Sequence, residues 1–252
     1  MNEEIRIIGL KSIPDIKAGD DIAEIICEKA DKQGVGLESD DIIVVASKIV
    51  AKAEGRIVKL SEVQPSPFAK RVSELTNKTP ELVELILRES NKIVRMRNGH
   101  LIMETKHGFI CANAGIDKSN VASGEEVVAL LPEDPDQSAR RIRDRIRELK
   151  NIDVAIIISD TFGRAWRRGH VNFAIGVAGI SVIRDYRGQQ DIYGYTLRVT
   201  QMAIVDELAA AAELAMNKSD RIPVVIIRGY KYPKGEDTIK NLLYPEDKDL
   251  FR

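Results

Sequence analysis

The segment Ser159-Asp160-Thr161-Phe162-Gly163-Arg164-Ala165-Trp166-Arg167-Arg168-Gly169-His170 holds the densest set of reactive side chains in the chain. It follows Val154 to Ile158, an apolar run that reads as a buried strand, so Asp160 is expected at that strand's carboxyl end. An aspartate there, beside a hydroxyl, suits a hard divalent cation. Arg164, Arg167 and Arg168 come within a few residues, and guanidinium forks bind phosphate or carboxylate oxygens. A carboxylate for metal with arginines for oxyanion is the pairing that a metal-bound phosphate needs. The plainer alternative is a capped turn carrying solvated arginines. A solvated ring is likewise the simpler reading of His170.

Two weaker segments offer complementary chemistry. Asn113-Ala114-Gly115-Ile116-Asp117-Lys118-Ser119-Asn120 has turn chemistry throughout. Asp117 is its candidate metal ligand and Asn120 its candidate donor to a nucleotide or phosphate. Ala46-Ser47-Lys48 through Arg56 follows another apolar run, and a serine with two lysines at a strand end suits a phosphate chain. Both also read as ordinary turns. There is no Gly-x-x-x-x-Gly-Lys-[Ser/Thr] and no Gly-x-Gly-x-x-Gly after a strand, which excludes a P-loop and argues against a dinucleotide fold. His100, His107 and His170 lack metal-ligand spacing, and His100 and His107 are expected to be solvated. Cys27 and Cys111 fall on apolar faces, as small core residues do. Without a Gly-x-Ser-x-Gly elbow, the chemistry that remains is metal and phosphate without covalent catalysis.

The elements that position these residues are legible from pattern. Ile42 to Ala46, Val154 to Ile158 and Val224 to Ile227 are short unbroken apolar runs, expected as strands buried on both faces. Ile22, Ile25, Ile26 and Ala30 form one helical face behind Asp20 or Asp21 as N-cap. Thr79-Pro80-Glu81 and Asp134-Pro135 open two further helices. The second is expected to bury Ile142, Ile146 and Leu149 and to solvate Arg140, Arg141, Arg143, Arg145 and Arg147. Asn98-Gly99 between two extended runs predicts a hairpin, and Phe109 to Ala112 a third strand, giving an antiparallel meander. Residues 201–216 read as an alanine-rich helix. Mixing such a meander with parallel-type strands argues for α+β with mixed sheets and packed helices, not a regular doubly wound sheet.

Composition sets the limits. With 252 residues, 44% of them apolar, the chain can bury a core without disulfides. Its 38 basic and 39 acidic side chains balance to a net charge of -1, which excludes general binding to nucleic acid or anionic membrane. Any anion site must be a local cluster. No apolar run approaches the ~20 residues of a membrane span, and the first residues lack a signal-peptide pattern, so the expected address is the cytoplasm.

Taken together these motifs resemble the coenzyme F420:L-glutamate ligase, or F420-0:γ-glutamyl ligase, family. The matching pieces run through most of the chain: Ile13-Pro14-Asp15-Ile16 with Gly19-Asp20-Asp21; Ser47-Lys48 with Lys52 to Arg56; Asn113 to Asp117 with Ser119-Asn120; Asp160-Thr161 with Gly163-Arg164 and Arg167-Arg168-Gly169; then Phe173 to Gly176, Asp191 to Gly194 and the helix from Val205. The resemblance implies an unusual α+β fold over residues 1–252 as one catalytic unit, with two interleaved subdomains as its alternative division. It implies a homodimer that uses GTP, Mg2+ or Mn2+, with K+ as an optional further ion, to join L-glutamate to F420-0 and then add γ-linked glutamates. Asp117 and Asp160 would hold one metal and Thr161 would help hold a second. Ile13, Pro14, Asp15, Ile16, Ser47, Lys52 and Asn120 would contact GTP. The family often reads Met-Gly-Glu after the alanine-rich helix, whereas this chain reads Met216-Asn217-Lys218-Ser219-Asp220, with Asp220 as the available acid.

The implied mechanism is phosphorylation of the acceptor carboxylate by GTP, giving an acyl phosphate that the glutamate amine then attacks. Metal held at Asp117 and Asp160 would neutralise and align the γ-phosphate, and Lys52 with one or more of Arg164, Arg167 and Arg168 would offset the charge of phosphoryl transfer, unless the arginines instead bind the phosphodiester and carboxylate of F420-0. Two alternatives stand beside it: a related amide-forming ligase with another acceptor or amino acid, and a non-catalytic nucleotide-binding protein.

Overall fold

The unbroken Val and Ile runs become neighbouring strands because only a sheet covered on both faces can hide every side chain of such a run. The computed structural model describes residues 4–118 and 126–250. In chain order the elements are β1 (Arg6–Gly9), α1 (Ile22–Lys32), β2 (Ile42–Ala46), α2 (Ser47–Ala53), β3 (Ile57–Lys59), α3 (Pro67–Thr76), α4 (Pro80–Arg88), β4 (Ser90–Arg97), β5 (His100–Thr105) and β6 (Ile110–Ala112). They continue as β7 (Val127–Ala129), α5 (Pro135–Lys150), β8 (Ala155–Arg164), β9 (Arg167–Ala178), β10 (Arg184–Asp185), β11 (Gln201–Met202), α6 (Ile204–Met216) and β12 (Val224–Arg228). The fold is α+β, with mixed and antiparallel sheets.

The main sheet runs β1-β12-β2-β8-β9. Only β2 and β8 pair in parallel; β12 lies antiparallel to both β1 and β2. Ile42 to Val45 and Ala155 to Ile158 are fully buried on both faces. Packing from α5 with α1, and separately from α6, covers the sheet. The β4-β5-β6 meander turns at Asn98 and Gly99, whose φ values of 50° and 77° are what an Asn-Gly turn provides. It contributes Leu101 and Met103 to a second apolar cluster with Val83, Ile86 and Val128, beside the larger one around the main sheet.

The helix starts follow the capping rules. Asp21 accepts from Glu24 N–H, Thr79 from Leu82 N–H and Asp134 from Gln137 N–H. Among the described residues no helix is long and apolar enough to cross a membrane.

Several local expectations change. The strand expected to end at Ile158 runs on to Arg164, so Ser159 to His170 is a β-hairpin arm and Asp160 lies within a strand. Parallel pairing with β2 stops at Ser159, but β9 continues to pair with β8 to the arm's tip, which sustains the extension. The segment after β2 is the helix α2, not a turn. Gln201 and Met202 pair with Arg184 and Asp185 as a strand, and the alanine-rich helix starts at Ile204. Leu149 is 38% exposed in the last turn of α5. Arg143 turns inward, where it binds Asp153, Val154 O and Glu236. His107 is not solvated: its Nε2 lies 2.9 Å from Pro132 O and its ring stacks on Phe109. The stretch after β12 packs on the body, where Ile239 is buried and its N–H donates to the buried Asp136.

Candidate functional site

The site forms where β2 gives way to α2 and β8 leaves the main sheet. Val45 and Ala46 pair with Ile158 and Ser159, which sets Ser47 beside Asp160. The Ser47 hydroxyl donates to Asp160 Oδ1 at 3.0 Å. Asp117 reaches the same place from the loop after β6, held by a two-way backbone bridge to Ala129 at 2.8 and 3.0 Å. Rings of Phe109, Phe162 and Phe173, with centroids 6.4 and 5.9 Å apart, tie the meander to the arm just past Asp160.

The two acids lie close enough for their charges to act on one another. The Asp160 carboxyl is pushed up to about 6, chiefly by burial and further by the negative charge of Asp117. The Ser47 hydroxyl and Thr161 N–H work against that rise. Burial pushes the Cys111 thiol up to about 12, with the Asp160 charge adding to it, so Cys111 lines the site as an inert wall.

Ammonium groups face these acids. Lys48 and Lys52 are four apart on α2 and so share a face. Lys48 Nζ pairs with Asp117 Oδ2 at 2.7 Å, and Lys52 Nζ with Asp15 Oδ1 at 2.7 Å. Strand alternation turns Thr161 to the opposite face from Asp160. There its hydroxyl donates to Asn172 Oδ1 at 2.7 Å and accepts from Lys218 Nζ. The Lys218 charge also acts on Asp160. Asp220 is engaged within its own turn, with Asn217 Nδ2 at 3.0 Å.

The structure thus brings Ser47, Asp117 and Asp160 together, leaves Thr161 across the strand with Asn172 and Lys218, and sets Lys52 with Asp15 on the neighbouring helix face. Ile16 is a core side chain, leaving only its backbone for a ligand, whereas Pro14 and Asp15 are exposed and Ile13 is half-buried. Asn120 lies outside the described residues. The arginines are not beside the acids. Four extended residues at about 3.3 Å each put Arg164 roughly 13 Å from Asp160 along the strand, with Arg167 and Arg168 exposed at the tip near Trp166, itself 87% exposed.

Lys218 is the contact that the sequence reading missed. Its signal was the lysine standing in the loop where the resembling family often has an acid.

The donor set fits a small hard cation. Asp117 and Asp160 supply carboxylate oxygens to one position, and Thr161, across the strand, a hydroxyl to a separate one. Among the described residues no group of three or more His, Cys, Asp or Glu forms a closed metal cage. Magnesium-type ions are held in this way, by one or two carboxylates with water and substrate phosphate completing the shell.

Comparison with known proteins agrees with the motif reading. The F420-0:gamma-glutamyl ligase family model matches residues 10–229. The coenzyme F420:L-glutamate ligase of Methanothermobacter thermautotrophicus is 47% identical over 98% of this chain and 99% of its own length. Those of Methanopyrus kandleri and Methanocaldococcus jannaschii are 45% and 40% identical, covering 94% and 99% of this chain and 93% and 97% of their own. Identity of this order along nearly the whole length, over the segments that build the acid pair, shows that the chain belongs to the F420-0:gamma-glutamyl ligase family.

Proposed function

We propose that this chain joins L-glutamate to coenzyme F420-0, and then adds γ-linked glutamates, in a GTP-dependent, metal-assisted reaction through an acyl phosphate. The carrying observation is the approach of Asp117, from the loop after β6, to Asp160 within β8, 43 residues on, beside Ser47 and the lysine face of α2. Relatives whose name pairs coenzyme F420 with L-glutamate supply the substrates.

A carboxylate is a poor acyl donor because its leaving group would be oxide. Transfer of the γ-phosphoryl group of GTP onto it gives an acyl phosphate and GDP. The glutamate amine then attacks the acyl carbon, and phosphate and a proton leave. A divalent ion, Mg2+ or Mn2+, would be held by Asp117 and Asp160, with Thr161 serving a second position, and would neutralise and align the phosphate oxygens. Ser47 holds Asp160 in place through its hydroxyl. Lys52 faces the phosphate chain with Asp15 as its resting partner. The separation of Arg164, Arg167 and Arg168 from the acids suits the phosphodiester and carboxylate of the acceptor better than the triphosphate. Exposed Trp166, Ile192, Tyr193 and Val199 on the arm and the β10–β11 connection support a homodimer.

The test is mass spectrometry of F420-0 incubated with the protein, GTP, Mn2+ and L-glutamate. A gain of one glutamyl unit, with GDP release that Asp160→Ala abolishes, is the expected result. Product formed only with another acceptor or amino acid, or turnover unchanged in Asp160→Ala, overturns the reading.

A further inference from the structure

We infer that Lys48 and Lys218 are exchangeable counter-ions of the acid site: they compete with a divalent cation for its oxygens, and a bound cation displaces them onto the anionic co-substrate. The inference rests on the metal and nucleotide reading above and goes beyond it, because it gives Lys48 an exchange role and brings in Lys218, which that reading leaves aside.

Each lysine now engages an oxygen that a cation would need. Lys48 Nζ lies 2.7 Å from Asp117 Oδ2. Lys218 Nζ bonds to the Thr161 hydroxyl, and its charge reaches Asp160 from the other face. The Thr161 hydroxyl hydrogen is already committed to Asn172 Oδ1, and the Asn172 amide is in turn oriented toward Met216 Sδ. Thr161 therefore presents only lone pairs to its remaining neighbour, which suits a cation of either kind.

The charge arithmetic gives the exchange its sense. Lys48 is ion-paired with Asp117, while Lys218 is held at the Thr161 hydroxyl and reaches Asp160 only as a charge across the strand. A divalent cation at the acids supplies the positive charge that these two lysines now contribute, so it can take their place there. The released ammonium groups then meet the phosphate oxygens that arrive with the cation. Long four-carbon stems permit such a swing, whereas a guanidinium fork in a fixed pair does not. Lys218 also stands in the bend after α6, outside any regular element.

The consequence is a split in sign. Removing either lysine leaves the acids more available to free metal but takes a cation away from the metal–nucleotide complex. A merely structural lysine would shift neither affinity, and a simple phosphate-binding lysine would shift only the second.

The experiment is Mn2+ binding to the full chain by electron paramagnetic resonance, with and without GTP, for wild type, Lys48→Met and Lys218→Met. Free Mn2+ is expected to bind about tenfold more tightly to at least one variant, and Mn2+ with GTP about tenfold more weakly, because a cation at ion-pair distance competes directly with the metal. Lys218→Arg, which keeps the charge, is expected to leave free Mn2+ binding within about twofold of wild type and so separates charge from folding. Free Mn2+ affinity unchanged or reduced in both Met variants overturns the exchange and leaves the metal site standing. No Mn2+ bound by wild type or either variant overturns both.

Discussion

The Ser47 hydroxyl donates to Asp160 Oδ1 across 113 residues of sequence, and this bond couples the start of α2 to the strand that carries the central acid. Ser47 is buried, so water does not readily replace its hydroxyl. Hydrogen bonds to a charged group are worth about 1.5–3 kcal/mol. Ser47→Ala is therefore expected to weaken Mn2+ binding roughly tenfold and also to lower the thermal transition, because the same bond supports the fold. Titration of Mn2+ against the folded variant measures this, and an unchanged affinity would show that Asp160 needs no such support.

A second long-range pair concerns stability alone. Arg228 at the end of β12 meets Asp41 just before β2 in a two-pronged pair, Nε to Oδ1 at 2.8 Å and Nη2 to Oδ2 at 2.7 Å. Asp41 is 1% exposed, and the guanidinium also caps the carbonyls of Val35 and Gly36. Asp41→Ala leaves this charge without its main partner, at an expected cost of about 3 kcal/mol or more. Glu38, the other acid on Arg228, is exposed, and Glu38→Ala is expected to cost less than about 1 kcal/mol. Urea unfolding midpoints of the two variants test that ordering.

Much of this arrangement was readable before folding, for physical reasons that also explain what was not. Local signals carried the caps at Asp21, Thr79 and Asp134 and the Asn98-Gly99 turn, because each depends on residues only a few apart. The apolar runs gave the core strands, but nothing local stops β8 at Ile158. Its continuation depends on pairing with β9, so Asp160 moved from a strand end into a strand. Arg143 looks solvated because five arginines share its helix; Asp153, which turns back from just beyond the helix end, and Glu236, 93 residues on, draw it inward. Asp117 and Asp160 were each visible as acids in suggestive company. Their approach to one another, and the lysines set against them, exist only in three dimensions.

Close packing of α5 on the main sheet gives a steric prediction. A Cβ on Gly176 would lie 2.4 Å from the Pro135 carbonyl carbon and 2.5 Å from its oxygen. Both are backbone atoms at the start of α5, so neither can rotate aside. Gly176→Ala is expected to destabilise the fold by about 3 kcal/mol, the upper part of the usual range for overpacking. At Gly163, on the arm, a Cβ would meet nothing nearer than 4.0 Å, from His170, and Gly163→Ala is expected to stay within about 0.5 kcal/mol. Equal melting temperatures for the two variants would contradict the close approach.

Asp206 gives the pH prediction. It sits in the first turn of α6 and accepts from Ala174 N–H at 2.9 Å, and burial pushes its carboxyl up to about 6, with that hydrogen bond opposing the rise. A raised folded-state pKa means that the native state binds this proton more tightly than the unfolded chain does. Stability from this group is then greatest below the unfolded value near 3.8 and falls as pH rises to about 6, beyond which the loss is complete. A rise of about two units corresponds to at most ~3 kcal/mol. Asp206→Asn keeps an acceptor for Ala174 N–H and removes the titration, although it gives up about 0.3–1 kcal/mol of favourable charge at the helix N-terminus. The variant is therefore expected to melt above wild type at pH 7.5 and at or below it at pH 4. Asp136 and Asp160, whose carboxyls are also raised by burial, contribute the same slope to both proteins and cancel in the difference. A difference in melting temperature that does not change between pH 4 and pH 7.5 would mean that Asp206 keeps an ordinary carboxylate's affinity for its proton inside the fold.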